Sequence, residues 1–142
     1  ANFVLNGSDG ATGPSYVTMS APAPTKMLTF VNGEYYINVT GAALAPGLGS
    51  LTVCAWVVPN AVSNTRHRNV FVSKMRAGSS WGEIDYELGI ERNQFCFFRS
   101  WYRVCGGAPQ PQSAAHVCGM ASESSIAIYV NGRVASRTGV SL

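Results

Sequence analysis

The sequence predicts an all-β domain, an antiparallel two-sheet sandwich that is stabilised by disulfide bonds. Short apolar runs recur between turn residues, and the chain holds 15 glycines and 7 prolines, as many short strands joined by turns require. Only 12% of the residues are charged, about half the usual fraction of roughly 25%. The 4 cysteines form an even set without a Cys-x-x-Cys pair, which favours disulfide bonds over a zinc site.

The chain is predicted to divide into an N-terminal strand and linker segment, residues 1–26, and a sandwich domain, residues 27–142. Residues 3–5 are the single apolar run of the polar, turn-rich first segment. Within the domain, apolar and β-branched runs bounded by turn residues predict the strands. These are residues 27–30, 35–39, 51–58, 70–72, 86–90, 95–98, 102–105, 126–130 and 133–136.

Residues 51–58 alternate between two faces of a strand. The odd-numbered positions are apolar, and the even-numbered positions include Cys54 and Trp56. This pattern predicts a strand that is covered on both faces, with Trp56 in the core or packed between sheets.

Two tight reversals are predicted near the C-terminal half. Asn131-Gly132 separates two alternating runs, and Asn-Gly favours the positive φ angles of a type I′ hairpin turn. A second reversal is predicted near Ser100-Trp101, with Cys96 and Cys105 placed symmetrically on either side.

The residue pattern also bears on location and on the classes of partner. The sequons at Asn6 and Asn38 predict N-glycosylation and, with the cysteines, an extracellular protein. The basic residues are too few and too dispersed for a nucleic-acid partner, and no apolar run approaches the roughly 18 residues of a membrane span.

Several segments of the domain fall in a recognisable order and spacing. They are LTVCAWV at 51–57, SK at 73–74, YELGI at 86–90, HVCG at 116–119 and IYVNG at 128–132. In these segments the chain resembles a laminin G-like domain of the concanavalin type, and residues 27–37 resemble that family's opening strand pair. The resemblance implies a jelly-roll sandwich.

Pentraxins are a branch of the same superfamily, and the resemblance to them implies a disulfide bond between Cys54 and Cys118. Cys96 and Cys105 are then the remaining pair. The cysteine spacing alone leaves the other two connectivities open.

The pentraxin signature is only partly present. The chain keeps His116, Cys118 and Ser122 but has Met120 and Ala121 where a Ser or Thr and a Trp are expected. The chain is therefore identified as a relative of the pentraxins and not as a pentraxin.

The stretch around Glu83, Asp85 and Glu87 is the one candidate catalytic group, because strand alternation places the three carboxylates on one face. It resembles the motif of the family 16 β-glucanases, which would make Glu83 the nucleophile, Asp85 a supporting carboxylate and Glu87 the acid/base. The chain is shorter than those enzymes.

The alternative is structural. In it, the same carboxylates form an exposed acidic strand edge that pairs with arginines across the sheet, each pair contributing well under about 1 kcal/mol. The arginines considered are Arg92, Arg99 and Arg103.

Three aromatic residues are candidate ligand-binding residues. Trp81, Trp101 and Tyr102 lie in or beside predicted turns, where their rings could stack on a sugar or, alternatively, fold back over the sandwich.

Calcium is the one cofactor that the resemblance implies. The candidate calcium ligands are three loosely placed carboxylates, Asp9, Asp85 and Glu123. The alternative is that these side chains are simply solvated. No metal ligand set is assigned, and no cofactor is predicted from the residues alone.

The domain is predicted to be incomplete at its C-terminal end, since relatives add strands after the Asn-Gly hairpin. Residues 3–5, a neighbouring subunit, or further chain would supply the missing strand, and the second option implies a homo-oligomer or filament.

The predicted function is a non-catalytic extracellular adhesion or assembly module that contacts protein or glycan partners through loops and sheet edges. The alternatives are a calcium-dependent lectin and a glycoside hydrolase. A glycan array with and without chelator separates the first two functions, and an assay of β-glucan hydrolysis tests the third.

Overall fold

A computed structural model describes residues 2–7, 15–19, 25–29, 35–40, 49–60, 68–75 and 84–140. Over these ranges the backbone forms twelve strands, and the strand pairs are all antiparallel. Within the same ranges no helix has the length and hydrophobicity to cross a membrane. The predicted all-β, disulfide-bonded class is confirmed.

The chain separates into two compact units, residues 1–44 and residues 45–142. In the first unit, β1 (Asn2–Gly7) pairs with β4 (Tyr35–Thr40). The two strands between them, β2 and β3, pair with each other. Their bounds are Ser15–Met19 and Thr25–Thr29.

This pairing differs from the sequence-based prediction in two ways. Residues 15–19, predicted as linker, form a strand. The runs on either side of Asn32-Gly33 do not pair with each other, because each has a partner earlier in the chain. Residues 3–5 pair with β4. The domain boundary at residue 26 stays a prediction.

The second unit is built from two four-stranded sheets, and contacts between their strands make it a sandwich. Sheet I has the order β12-β11-β10-β5 and sheet II the order β6-β7-β8-β9. The strands are β5 Leu51–Val57, β6 Asn69–Met75, β7 Ile84–Glu91, β8 Gln94–Arg99, β9 Tyr102–Gly106, β10 Ala115–Ser122, β11 Ser125–Val130 and β12 Arg133–Gly139.

The core lies between the inner faces of the two sheets. Alternate residues of the central strands face it, as the period of two in a strand requires. Its fully buried members include Leu88, Phe95 and Phe97 of sheet II, and Val117, Ile126 and Ile128 of sheet I.

Tight turns connect several neighbouring strands. Asn131 and Gly132 both have positive φ angles, 51° and 76°, so the predicted type I′ geometry between β11 and β12 is confirmed. Arg92 and Asn93 adopt the same left-handed region between β7 and β8, at 49° and 60°. The predicted reversal between β8 and β9 is present, and Ser100 has a φ of 51°.

Both disulfide bonds join directly opposite residues of neighbouring strands. Cys54 of β5 is bonded to Cys118 of β10, and Cys96 of β8 to Cys105 of β9. The connectivity implied by the resemblance is therefore confirmed. The first bridge spans 64 residues, a loop for which chain entropy accounts for about 4 kcal/mol of stability.

Gly119 of β10 packs directly against the ring of Phe97 in the opposite sheet. A Cβ atom there would overlap the ring of Phe97, so Gly119→Ala is expected to lower the free energy of unfolding by about 1–3 kcal/mol. Urea unfolding followed by circular dichroism measures the loss. Gly139→Ala is the control, because its nearest atom, the Ser124 carbonyl oxygen, is 3.8 Å away. Equal stabilities of the two variants would contradict the packing.

Candidate functional site

Asp85, the central residue of the candidate catalytic stretch, is engaged by a buried arginine. The Arg99 guanidinium donates to the Asp85 carboxylate over 2.8 Å and to the Asp85 backbone carbonyl over 2.9 Å. The Arg99 side chain is 2% exposed and that of Asp85 13%. A desolvated cation needs this compensation, so the pair is a structural element of the β7 and β8 strand ends.

The neighbouring phenol responds to the same environment. Burial, and then the negative charge of Asp85, raise the pKa of Tyr86 above its ordinary value, while the positive charge of Arg99 acts in the opposite direction. Tyr86 therefore stays neutral in the folded protein at pH values where an exposed tyrosine ionises. It contributes full stability below the unfolded pKa, and that contribution is lost as the pH rises above it.

Glu87 and Glu91 are also paired. Glu87 is 3.3 Å from the guanidinium of Arg68, which lies over the Phe98 ring at 4.4 Å. Glu91 is 2.8 Å from the guanidinium of Arg103. Each of the three described carboxylates of β7 thus has a guanidinium partner.

These pairs change the interpretation of the acidic stretch. The prediction of an exposed acidic edge is wrong, because β7 lies between β6 and β8 and buries Glu87 and Glu91. Of the predicted pairings, the one with Arg99 is present at Asp85. Arg103 pairs instead with Glu91, which lies outside the predicted stretch, and the partner of Glu87 is Arg68, far away in sequence. Glu83 lies outside the described residues.

The predicted ligand-binding aromatics occupy different environments. Trp101, in the turn between β8 and β9, is 81% exposed. Tyr102 is half-buried and packs against the core. Trp81 lies outside the described residues. Ligand binding by these residues stays a prediction. Of the two described residues, Trp101 has the more exposed ring.

Trp56 is not in the core, which corrects the prediction for that residue. Leu51, Val53, Ala55 and Val57 pack against the core, so alternation turns Trp56 to the outer face of sheet I, where it is 64% exposed. The signal was present in the sequence, since the Trp56 face also carries Thr52 and the other face is wholly apolar.

An exposed surface, which we call the Trp56 face, surrounds this residue on the outside of sheet I. The strand pairing of sheet I places Trp56 opposite His116 and Cys54 opposite Cys118. It also places Tyr129 opposite Val134. Met120 and Val134 are exposed on it. The face is defined by Trp56, His116, the Cys54–Cys118 bridge, Met120, Tyr129 and Val134.

His116 was not predicted as a site residue, although its position two residues before Cys118 places both on one face of β10. The rings of Trp56 and His116 lie 5.0 Å apart and are tilted by 34°. The Nε2 atom of His116 is 3.7 Å from the sulfur of Cys118.

Two groups of potential metal-ligating residues occur in the described part of the chain: Cys54, His116 and Cys118, and Glu91, Cys96 and Cys105. The calcium candidates fall outside both. Asp85 is paired with Arg99, Glu123 is exposed in the turn after β10, and Asp9 lies outside the described ranges.

The glycosylation candidates Asn6 and Asn38 lie on β1 and β4, which pair with each other. Glycosylation at either position stays a prediction.

The comparison with protein families decides the classification. A laminin G family of the concanavalin A-like lectin/glucanases superfamily matches residues 31–141. The chain belongs to this family. No curated protein matches the chain significantly. The two-sheet, disulfide-bonded fold agrees with this membership, and the family supports a lectin-like or adhesion module in general terms.

Two isosteric substitutions distinguish the structural role of the Asp85–Arg99 pair from that of an ordinary surface ion pair. Asp85→Asn leaves a buried guanidinium without its counter-charge, so it should cost about 3 kcal/mol of unfolding free energy. Glu91→Gln leaves Arg103 without its counter-charge, but the Arg103 side chain is 48% exposed and can be hydrated. This change should therefore cost under about 1 kcal/mol of unfolding free energy. Urea unfolding of both variants measures the difference, and equal losses would disprove the structural role of the Asp85–Arg99 pair.

Proposed function

We propose that this protein is a non-catalytic extracellular module for adhesion or assembly that contacts protein or glycan partners. The observation that carries the proposal is the exposure of two large indoles, Trp56 on a strand and Trp101 in a turn. Trp56 shares the outer face of sheet I with the exposed Met120 and Val134, and an exposed apolar patch often marks an interaction site.

The acidic residues support a binding function over catalysis. A glycosidase needs one carboxyl group as nucleophile or base and another as proton donor. Here Asp85 and Glu87 are each held by an arginine, and these contacts explain the two side chains as parts of the fold. Family membership and the two disulfide bonds favour the extracellular location.

The aromatic residues indicate how a partner is contacted. Tryptophan offers a large contact area and a polar N–H group, and such residues commonly dominate binding energy. Trp101 stands at the tip of a two-residue turn, and Trp56 lies on a sheet face beside His116. The first suits stacking on a sugar ring and the second suits a flatter partner surface.

A carbohydrate-binding lectin is the second candidate, because the Trp101 ring is free to stack on a sugar face. Calcium dependence belongs to this alternative. The glycoside hydrolase alternative depends on Glu83 and is tested separately by assaying β-glucan hydrolysis.

We expect wild-type protein to bind glycans on an array, or to self-associate in sedimentation velocity. Trp56→Ala and Trp101→Ala should identify the contact, the responsible substitution weakening the interaction at least about tenfold, or roughly 1.4 kcal/mol. Gln110→Ala is the control, an exposed change in the loop between β9 and β10. Glycan binding that disappears in EDTA would favour the calcium-dependent lectin.

Two results would contradict the proposal. One is hydrolysis of β-glucan by the wild-type protein that is lost in Glu83→Gln. The other is a monomer that binds nothing on the array, with or without calcium.

A further inference from the structure

The two disulfide bonds lie in different environments. Cys54 is exposed and Cys118 half-buried on the Trp56 face. In the other bridge, Cys96 is 0% exposed and Cys105 is half-buried, so Cys54 is the one exposed cysteine of the four. Thiol–disulfide exchange requires a thiolate to reach a sulfur atom along the bond. The Cys54–Cys118 bridge is therefore the one whose sulfur a dissolved thiol can approach first.

A third potential ligand accompanies this bridge. The sulfurs of Cys54 and Cys118 and a ring nitrogen of His116 all lie within 4.8 Å of one another. The distance from His116 Nε2 to Cys118 Sγ is 3.7 Å. In a tetrahedral zinc site, ordinary Zn–S and Zn–N bond lengths place a sulfur and a nitrogen ligand about 3.6 Å apart. The imidazole is therefore already at the separation that a shared metal ion requires.

The backbone and a neighbouring ring fix the position of His116. The backbone N–H of His116 donates to the side-chain oxygen of Asn131 over 2.9 Å. The backbone N–H of Asn131 donates to the backbone carbonyl of His116 over 2.8 Å. Trp56 packs beside the imidazole at 5.0 Å. A ligand that is held on a rigid strand needs less ordering on metal binding.

We propose that the Cys54–Cys118 bridge is a redox-gated metal site. After reduction by a dithiol, the two cysteine thiolates and the His116 imidazole bind a thiophilic divalent cation of the Zn²⁺ type. The open side of the Trp56 face leaves the fourth coordination position to water. This inference is independent of the proposed adhesion function, and neither result decides the other.

The chemistry balances without a further reactant. A thiolate of the dithiol attacks the exposed Cys54 sulfur, forms a mixed disulfide and releases the Cys118 thiolate. The second thiol of the reductant then closes its own disulfide and releases Cys54, so two electrons pass from the dithiol to the bridge. Metal binding to the two thiols releases two protons. The two sulfurs must separate to about 3.8 Å to share a tetrahedral ion.

The second bridge provides an internal comparison. Its neighbour is Glu91, whose carboxylate is held by Arg103 at 2.8 Å. It has no imidazole in its group, and its Cys96 sulfur is buried. We therefore expect the Cys54–Cys118 bridge, and not the Cys96–Cys105 bridge, to be reduced selectively and to bind the metal.

The reduction step is tested on the full chain under native conditions. Limiting dithiothreitol is followed by alkylation and peptide mass mapping, with near-ultraviolet circular dichroism to monitor packing. We expect Cys54 and Cys118 to be alkylated at least tenfold faster than Cys96 and Cys105, with the sandwich still folded. Equal labelling of the four cysteines, or unfolding on reduction of the first bridge, would overturn the proposal.

Metal binding is tested with Co²⁺ as a spectroscopic substitute for Zn²⁺. The selectively reduced protein should develop a thiolate-to-cobalt charge-transfer absorption that Zn²⁺ abolishes, and the oxidised protein should not. His116→Ala should weaken Co²⁺ binding at least tenfold without changing the alkylation pattern. His67→Ala, which removes the other of the 2 histidines, is the control. No absorption in the reduced protein, or equal affinities of wild type and His116→Ala, would refute the site.

Discussion

The contact between Gly119 of one sheet and Phe97 of the other fixes which residues of β10 and β5 face outward. Only a residue without a side chain leaves room for the Phe97 ring there, so β10 must present Gly119 inward. Because the side-chain period of a strand is two, a shift of one residue would exchange its faces. The same register turns His116 and Cys118 outward, and through pairing with β5 it turns Cys54 and Trp56 outward with them. The exposed face is thus a consequence of how the core is filled.

Charge is used differently in the two sheets. Sheet II carries three carboxylates on β7, and each has an arginine partner. The Arg99 side chain is buried, whereas the Arg103 side chain is about half-exposed. In a chain with 12% charged residues, this places much of the negative charge in local structural contacts. Sheet I instead presents indole, imidazole, thioether and aliphatic groups on its outer face, with Arg137 as a charged neighbour at β12. Sheet II therefore supports the fold electrostatically, whereas sheet I offers a surface with low desolvation cost for a partner.

Local chemistry explains what the sequence could predict. The hairpin at Asn131-Gly132 follows from backbone preferences of two adjacent residues. The disulfide connectivity came from the resemblance to pentraxins, since the cysteine spacing alone leaves three pairings open. Non-local packing explains what it could not. The pairing of β1 with β4 and the contact of Arg68 with Glu87 join residues that no local pattern connects. Trp56 is a different case, because the wholly apolar opposite face of β5 already indicates which side packs against the core.

The Cys54–Cys118 bridge also has a mechanical consequence. All four strands of sheet II lie between the two bonded cysteines in the chain. A pulling force applied to the chain before Cys54 and after Cys118 therefore passes through the covalent bridge from β5 to β10, and the loop that contains sheet II carries none of it. While the bridge is closed, the segment that forms sheet II cannot be drawn out between the two points of attachment. Opening the bridge would place the whole intervening segment under load and lengthen the chain that can be extended.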